Sequence, residues 1–232
     1  MRYNKVLDKN IREIVLLKSF PCSYGKCKFC NYIEDNSVDE KEINNVNFEV
    51  LKEITGEFGV LEVINSGSVF EIPSETLKKI REVVREKKIK ILYFEAYYGY
   101  IKRLDEIRDY FYGVEIRFRI GVETFDDKYR IESYGKNFVI DENTLKKLSK
   151  EFYSACLLVC TIGQTEEMIA KDIEIGLINF KQITINVFID NGTEVKQDKK
   201  LVNWLMKKYS HLKADPRVEL LYDNKDLGVF EQ

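Results

Sequence analysis

Short apolar, β-rich runs alternate along the chain with longer runs whose apolar residues recur every three or four positions. The strand-like runs fall at 13–18, 60–65, 89–94, 115–120, 155–160 and 182–189. Helical runs follow them at about 47–58, 74–87, 101–111, 142–152, 165–180 and 199–209. Ser74 and Thr165 stand where helix N-caps belong, and residues 217–222 read as one more short strand. Six strand–helix units in series predict parallel strands with helices outside them. A full eight-fold barrel takes about 250 residues. The 232 residues here therefore predict an α/β fold of the partial (β/α)6 barrel kind, built as a single domain over 1–232. In such folds the polar residues at the C-terminal strand ends line the site. Those ends carry Asn65-Ser66-Gly67-Ser68, Glu95, Glu123, Gly163-Gln164 and Asp190-Asn191.

Charge narrows the classes of partner. Lys plus Arg is 37 and Asp plus Glu is 39, so the net charge is −2. With a pI near 5.8 there is no bulk basic surface for a polyanion, which argues against nucleic acid as a partner. The lysine clusters near Lys87 and Lys146 are broken by acids and read as solvated helix faces. The N-terminus is polar rather than a secretory signal. No apolar run approaches the roughly 18 residues of a membrane span. Five cysteines in a long, charged chain argue against a disulfide framework and for a reducing, cytoplasmic setting.

Three of those cysteines, Cys22, Cys27 and Cys30, fall within nine residues directly after the first strand. Three thiolates on one loop can hold three irons of a four-iron cluster and leave the fourth open to a small molecule. The competing metal is zinc, whose closed sites take four ligands. The fourth would come from His211, Cys156, Cys160 or a carboxylate. Cys156 and Cys160 read as small buried hydrophobes on one strand face shared with Leu158. Asn186 sits between large apolar neighbours in the sixth strand, where an interior amide needs partners that a ligand can supply.

On the cysteine loop and its strand context, the chain resembles the radical S-adenosylmethionine (SAM) superfamily. It keeps the two-residue gap and the aromatic Phe29 before the last cysteine, and departs from the usual pattern in its first gap, which is four residues rather than three. The resemblance implies that Cys22, Cys27 and Cys30 ligate a [4Fe-4S] cluster whose open iron is chelated by SAM. It also implies that Phe29, Asn65, Ser66, Gly67, Ser68, Glu95, Glu123 and Gln164 contact SAM. The turn after the second strand lacks the family's paired glycines and glutamate, and Glu71, three past Ser68, belongs either to the site or to the helix entry.

The stretches Asn65-Ser66-Gly67-Ser68-Val69-Phe70-Glu71, Gly121-Val122-Glu123-Thr124, Gly163-Gln164-Thr165 and Ile185-Asn186-Val187-Phe188 are similar to the queuine lyase family. That resemblance implies radical cleavage of free queuine to 7-aminomethyl-7-deazaguanine, with a reducing donor such as flavodoxin or ferredoxin. It leaves the catalytic residues unassigned. Tyr98, Asn186, Asp190, Asn191, Asp223 and Asp226 are candidates to contact the base, because a carboxylate accepts two adjacent N–H donors in bidentate fashion. A tRNA-modifying enzyme of the archaeosine-synthase type is the runner-up, and a non-catalytic zinc or iron–sulfur module is the alternative of another class.

Overall fold

The computed structural model describes residues 1–223 and 226–229. The chain divides into two compact units, one of Met1–Gly25, Tyr32–Phe118 and Leu227–Gln232, the other of Lys26–Asn31 and Arg119–Asp226.

The first unit holds β1 (Tyr3–Val6), β2 (Arg12–Leu17), α1 (Glu40–Lys52), β3 (Val60–Asn65), α2 (Ser74–Glu86), β4 (Ile91–Glu95) and α3 (Leu104–Tyr110). Its strands lie in chain order, β1 antiparallel to β2, and β2, β3 and β4 parallel. All six residues of β2 are buried, as a strand covered on both faces requires. The antiparallel β1 is a strand that periodicity alone did not reveal, being short and only half-buried. Helix α1 begins seven residues before the apolar stripe predicted it. Asp39 caps it by accepting from the Lys41 and Glu42 amides, and the chain turns away beyond it through Gly56, at φ +79°. Asn47 is buried in mid-helix because its amide pairs with both backbone groups of Lys18, at 2.8 and 2.9 Å. α2 starts at Ser74 with Pro73, not Ser74, at the cap position.

The second unit takes the later part of β5 (Glu115–Glu123), then α4 (Asp127–Glu132), α5 (Glu142–Glu151), β6 (Ser154–Val159), α6 (Glu166–Asn179), β7 (Gln182–Val187), α7 (Lys199–Tyr209) and β8 (Val218–Leu221). β5 to β8 again follow chain order, and each pair is parallel. Arg119 of β5 reaches Thr184 of β7 and Glu219 of β8, both at 2.9 Å. Side chains two and three strands apart thus meet, which requires this part of the sheet to curl. β5 runs on past the predicted end at residue 120, with a register shift between Gly121 and Glu123. Cys160 is a correction: it lies beyond the end of β6 with φ +66°, off the regular strand face expected for it, while Cys156 is only half-buried.

Among the described residues no helix is long and apolar enough to cross a membrane.

Glu13 shows how a buried charge is kept in β2. Its carboxylate accepts from Tyr3 Oη, the Thr55 amide and hydroxyl, and the Gly56 amide, at 2.7–2.9 Å. Burial raises its pKa, but these donors outweigh burial and hold it below the ordinary 4.5. Its stabilising contribution is therefore present above pH 4.5 and lost as pH falls through the lower folded value. Glu13→Gln is expected to cost about 2 kcal/mol at pH 7. In urea titrations the gap from the parent protein narrows as the pH drops below 4.5.

Candidate active site

The cysteine loop has no regular secondary structure apart from turns, so side chains must satisfy its backbone. In the first unit that work falls to Glu71. Its Oε1 accepts from the Ser23 amide at 3.3 Å and from Tyr100 Oη at 2.7 Å, and its Oε2 accepts from the Ser68 amide at 2.5 Å. The Phe20 amide donates to the Glu71 carbonyl at 3.0 Å. Glu71 thus serves the entry of a one-turn helix, Val69–Glu71, by accepting from the Ser68 amide, and at the same time fastens the start of the cysteine loop. Gly67 leaves the room this needs: a Cβ there would lie 3.1 Å from Glu71 Oε2 and 3.6 Å from Cys22. On the far side of the loop, Arg2 grips the buried Asp35 with both guanidinium nitrogens, at 2.8 and 2.5 Å. Ser66 is taken up by Ser19, at 3.2 Å, and by Asn36. Asn65 donates to the Ser68 carbonyl at 3.0 Å, while its Oδ1 is buried with no partner. Glu95 ends β4 half-buried, and Tyr98 follows in a one-turn helix. Tyr24 of the loop packs on Tyr97, with ring centroids 5.1 Å apart.

In the second unit the loop residues Lys26–Asn31 lie along residues 134–136. The Lys28 amide donates to the Tyr134 carbonyl at 2.9 Å, and a Cβ on Gly135 would come within 2.9 Å of the Lys26 carbonyl. Phe29 meets Tyr134 edge-on at 5.3 Å, in an apolar cluster with Leu158 and Phe188. Asn191 closes the other side: its Nδ2 donates to the Phe29 carbonyl at 2.8 Å and to Asn31 Oδ1 at 3.1 Å, while its Oδ1 accepts from Thr193 Oγ1 at 2.7 Å. Asn191 therefore holds the end of the loop.

Other predicted residues are likewise engaged locally. Gln164 accepts from the Thr161 amide and hydroxyl and donates to the Leu158 carbonyl, at 3.0–3.1 Å. Asp190 accepts from the Gln197 amide at 2.7 Å. Asp226 accepts from the Tyr222 and Asp223 amides, at 2.5 and 2.9 Å. Asp223 and Asp226 are both exposed. Asn186 differs: its Oδ1 is buried and unpartnered.

Sequence reasoning missed Lys136. It is almost fully buried, and its Nζ lies 2.7 Å from Glu123 Oε1. Burial alone would push the ammonium pKa down; the charges of Glu123 and Cys27, the Glu123 hydrogen bond and Cys156 together push it above its ordinary value. Glu123 itself stands in the left-handed region, with φ +66°, a strain that stays only where its surroundings hold it. Gly121 is the one sequence signal of this arrangement. A Cβ there would fall against Glu123 Oε1 and within 2.8 Å of Lys136 Nζ.

A cluster with bound SAM fits these residues. The three loop thiols are half-buried, and the orphaned Asn65 and Asn186 oxygens are acceptors wanting N–H or O–H donors. Among the described residues no three His, Cys, Asp or Glu side chains converge on a single point. Burial, then Asp198, pushes the Cys160 thiol up to about 12, which keeps it protonated and a poor ligand.

Neither a family model nor a curated protein matches the sequence. Solved structures do. A queuine lyase from Clostridium spiroforme, bound to SAM and queuine, matches with 47% identity over 99% of both chains and a TM-score of 0.95. The chain belongs to the queuine lyase family. Streptococcus suis SuiB matches with 16% identity and a TM-score of 0.55, over 92% of this chain and 50% of SuiB; its SAM-bound form gives 13% and 0.56. That weaker likeness speaks to the fold. The α/β class with parallel strands, of the radical SAM type, is thus the fold of a queuine lyase family member.

Loss of the Asn191 clamp is expected to loosen the loop. In metal-free Asn191→Ala, thiol-reagent labelling of Cys30 should quicken several-fold, while labelling of Cys22, held from the Glu71 side, keeps its parent rate.

Proposed function

We propose that the protein is a radical SAM lyase that cleaves the carbon–nitrogen bond of free queuine and releases 7-aminomethyl-7-deazaguanine for queuosine salvage. The observation that carries this is the 47% identity, over 99% of both chains, to a queuine lyase bound to SAM and queuine. Cys22, Cys27 and Cys30 would hold a [4Fe-4S] cluster. When bound, the cluster and SAM supply one-electron cleavage of SAM to methionine and a hydrogen-abstracting radical.

The chain's own part is to bind, orient and exclude water. Asn65 Oδ1 offers its bare acceptor to the SAM ammonium group, in the turn where the resemblance places that contact. Asn186 Oδ1 offers another to an N–H of the base. Phe29, seated against Tyr134, fixes the span from Cys27 to Cys30 and presents an aromatic surface for adenine. Glu95 is a half-buried carboxylate at a strand end and suits hydroxyl donors. Glu123 reaches SAM only as part of its pair with Lys136. Gln164 and Asn191 act by shaping their loops. Tyr98, Asp190, Asp223 and Asp226 stay as candidates for the substrate mouth. The single-domain reading over 1–232, the cytoplasmic setting and a flavodoxin- or ferredoxin-like donor belong to the same proposal, as does the absence of nucleic acid as substrate.

The test is anaerobic incubation with SAM, dithionite and either free queuine or queuosine-containing tRNA, with chromatography for 5′-deoxyadenosine and the aminomethyl base. Both products from free queuine alone are expected. Turnover of the tRNA alone would replace this reading with the tRNA-modifying one. Cys27→Ala should abolish both products, and Cys160→Ala should keep most of the activity because its buried thiol ligates nothing.

A further inference from the structure

The pair Lys136–Glu123 is costly to build. Two charges have been taken out of water, at 2.7 Å from one another, and an apolar pair would pack more cheaply. The backbone is bent to hold them: β5 shifts register between Gly121 and Glu123, Glu123 adopts φ +66°, and Gly121 has no room for a Cβ. Lys136 is also placed by its neighbours in sequence. The Lys28 amide bonds to the Tyr134 carbonyl, and Gly135 lies against the Lys26 carbonyl. Cys27, between Lys26 and Lys28, therefore runs alongside the segment that ends in Lys136. Cys27 and Cys156 both act electrostatically on the Lys136 ammonium.

We propose that Lys136 is a positioning residue for electron transfer: a buried positive charge, held by Glu123 beside Cys27, that raises the reduction potential of the cluster. This rests on the reading of Cys27 as a cluster ligand. Reduction adds a negative charge to a group already bearing three thiolates, and a fixed cation beside one of them stabilises that added charge in a medium of low dielectric. Glu123 has two effects. It fixes the Lys136 ammonium in place at 2.7 Å, and its own negative charge offsets part of the cation's field, while the neighbouring thiolates keep the ammonium charged. The two members of the pair therefore act on the potential with opposite sign.

The experiment uses the full chain, anaerobically reconstituted with iron and sulfide, in the parent form and as Lys136→Met and Glu123→Gln. Iron per chain is measured first. The midpoint potential is then read by dithionite titration without SAM, following the electron paramagnetic resonance of the reduced cluster. Lys136→Met is expected to load about the parent's iron and to lower the reduction equilibrium at least tenfold, about 59 mV for one electron. Glu123→Gln, which keeps the shape and leaves the ammonium uncompensated, is expected to raise the potential. A purely structural role would shift both variants alike or neither, and either result overturns the proposal. Should Lys136→Met load no iron, Glu123→Gln decides alone: an upward shift supports the proposal and an unmoved midpoint overturns it. Parent protein that takes up no iron would instead overturn the cluster reading itself, and this inference with it.

Discussion

A loop that carries metal ligands but no regular structure must have its backbone satisfied from outside, or it will not hold its thiols in place. The rest of this chain is arranged to meet that demand. Glu71, buried and accepting three hydrogen bonds, ties the start of the loop to the turn after β3. Asn191, beyond β7, ties its end. Neither residue needs to touch a ligand to be indispensable. Their contribution is geometry, and metal sites depend on such surrounding contacts as much as on the ligands themselves.

The same economy governs the charges. Buried Arg119 finds Glu219 and Thr184, and buried Glu13 has four donors. Glu123 with Lys136 differs in position, at the C-terminal end of β5, where polar groups face function rather than packing. Among the described residues the amide oxygens of Asn65, Gln182 and Asn186 are buried without donors. Orphaned acceptors are costly, and the proposed ligands carry the N–H donors that Asn65 and Asn186 lack.

Much of this was legible from the residues. The β3 and α7 boundaries match the expected ones residue for residue, because strong alternation and clear capping leave little freedom. Helix α1 was displaced because Asp39, not the apolar stripe, sets its start. The short β1 carries too few apolar positions to show a period, and β5 overran its expected end because a bulge continued the strand past Gly121. The polar residues at the strand ends were legible in the sequence, but their hydrogen-bond partners were not. Gln164, Asp226 and Asn191 proved committed to their own turns or to the loop, which local sequence does not reveal. Lys136 was invisible because its burial rests on a pairing with Glu123 and on a glycine, Gly121, whose only property is the space it leaves.

The proposed function requires that the loop carrying Cys22, Cys27 and Cys30 hold a four-iron cluster with one iron open to SAM. Electron paramagnetic resonance of the reconstituted, dithionite-reduced protein, recorded before and after SAM is added, tests it most directly. About four irons per chain and a reduced-cluster signal that changes on adding SAM are the predicted result. One zinc and no iron, or a cluster signal indifferent to SAM, would contradict it.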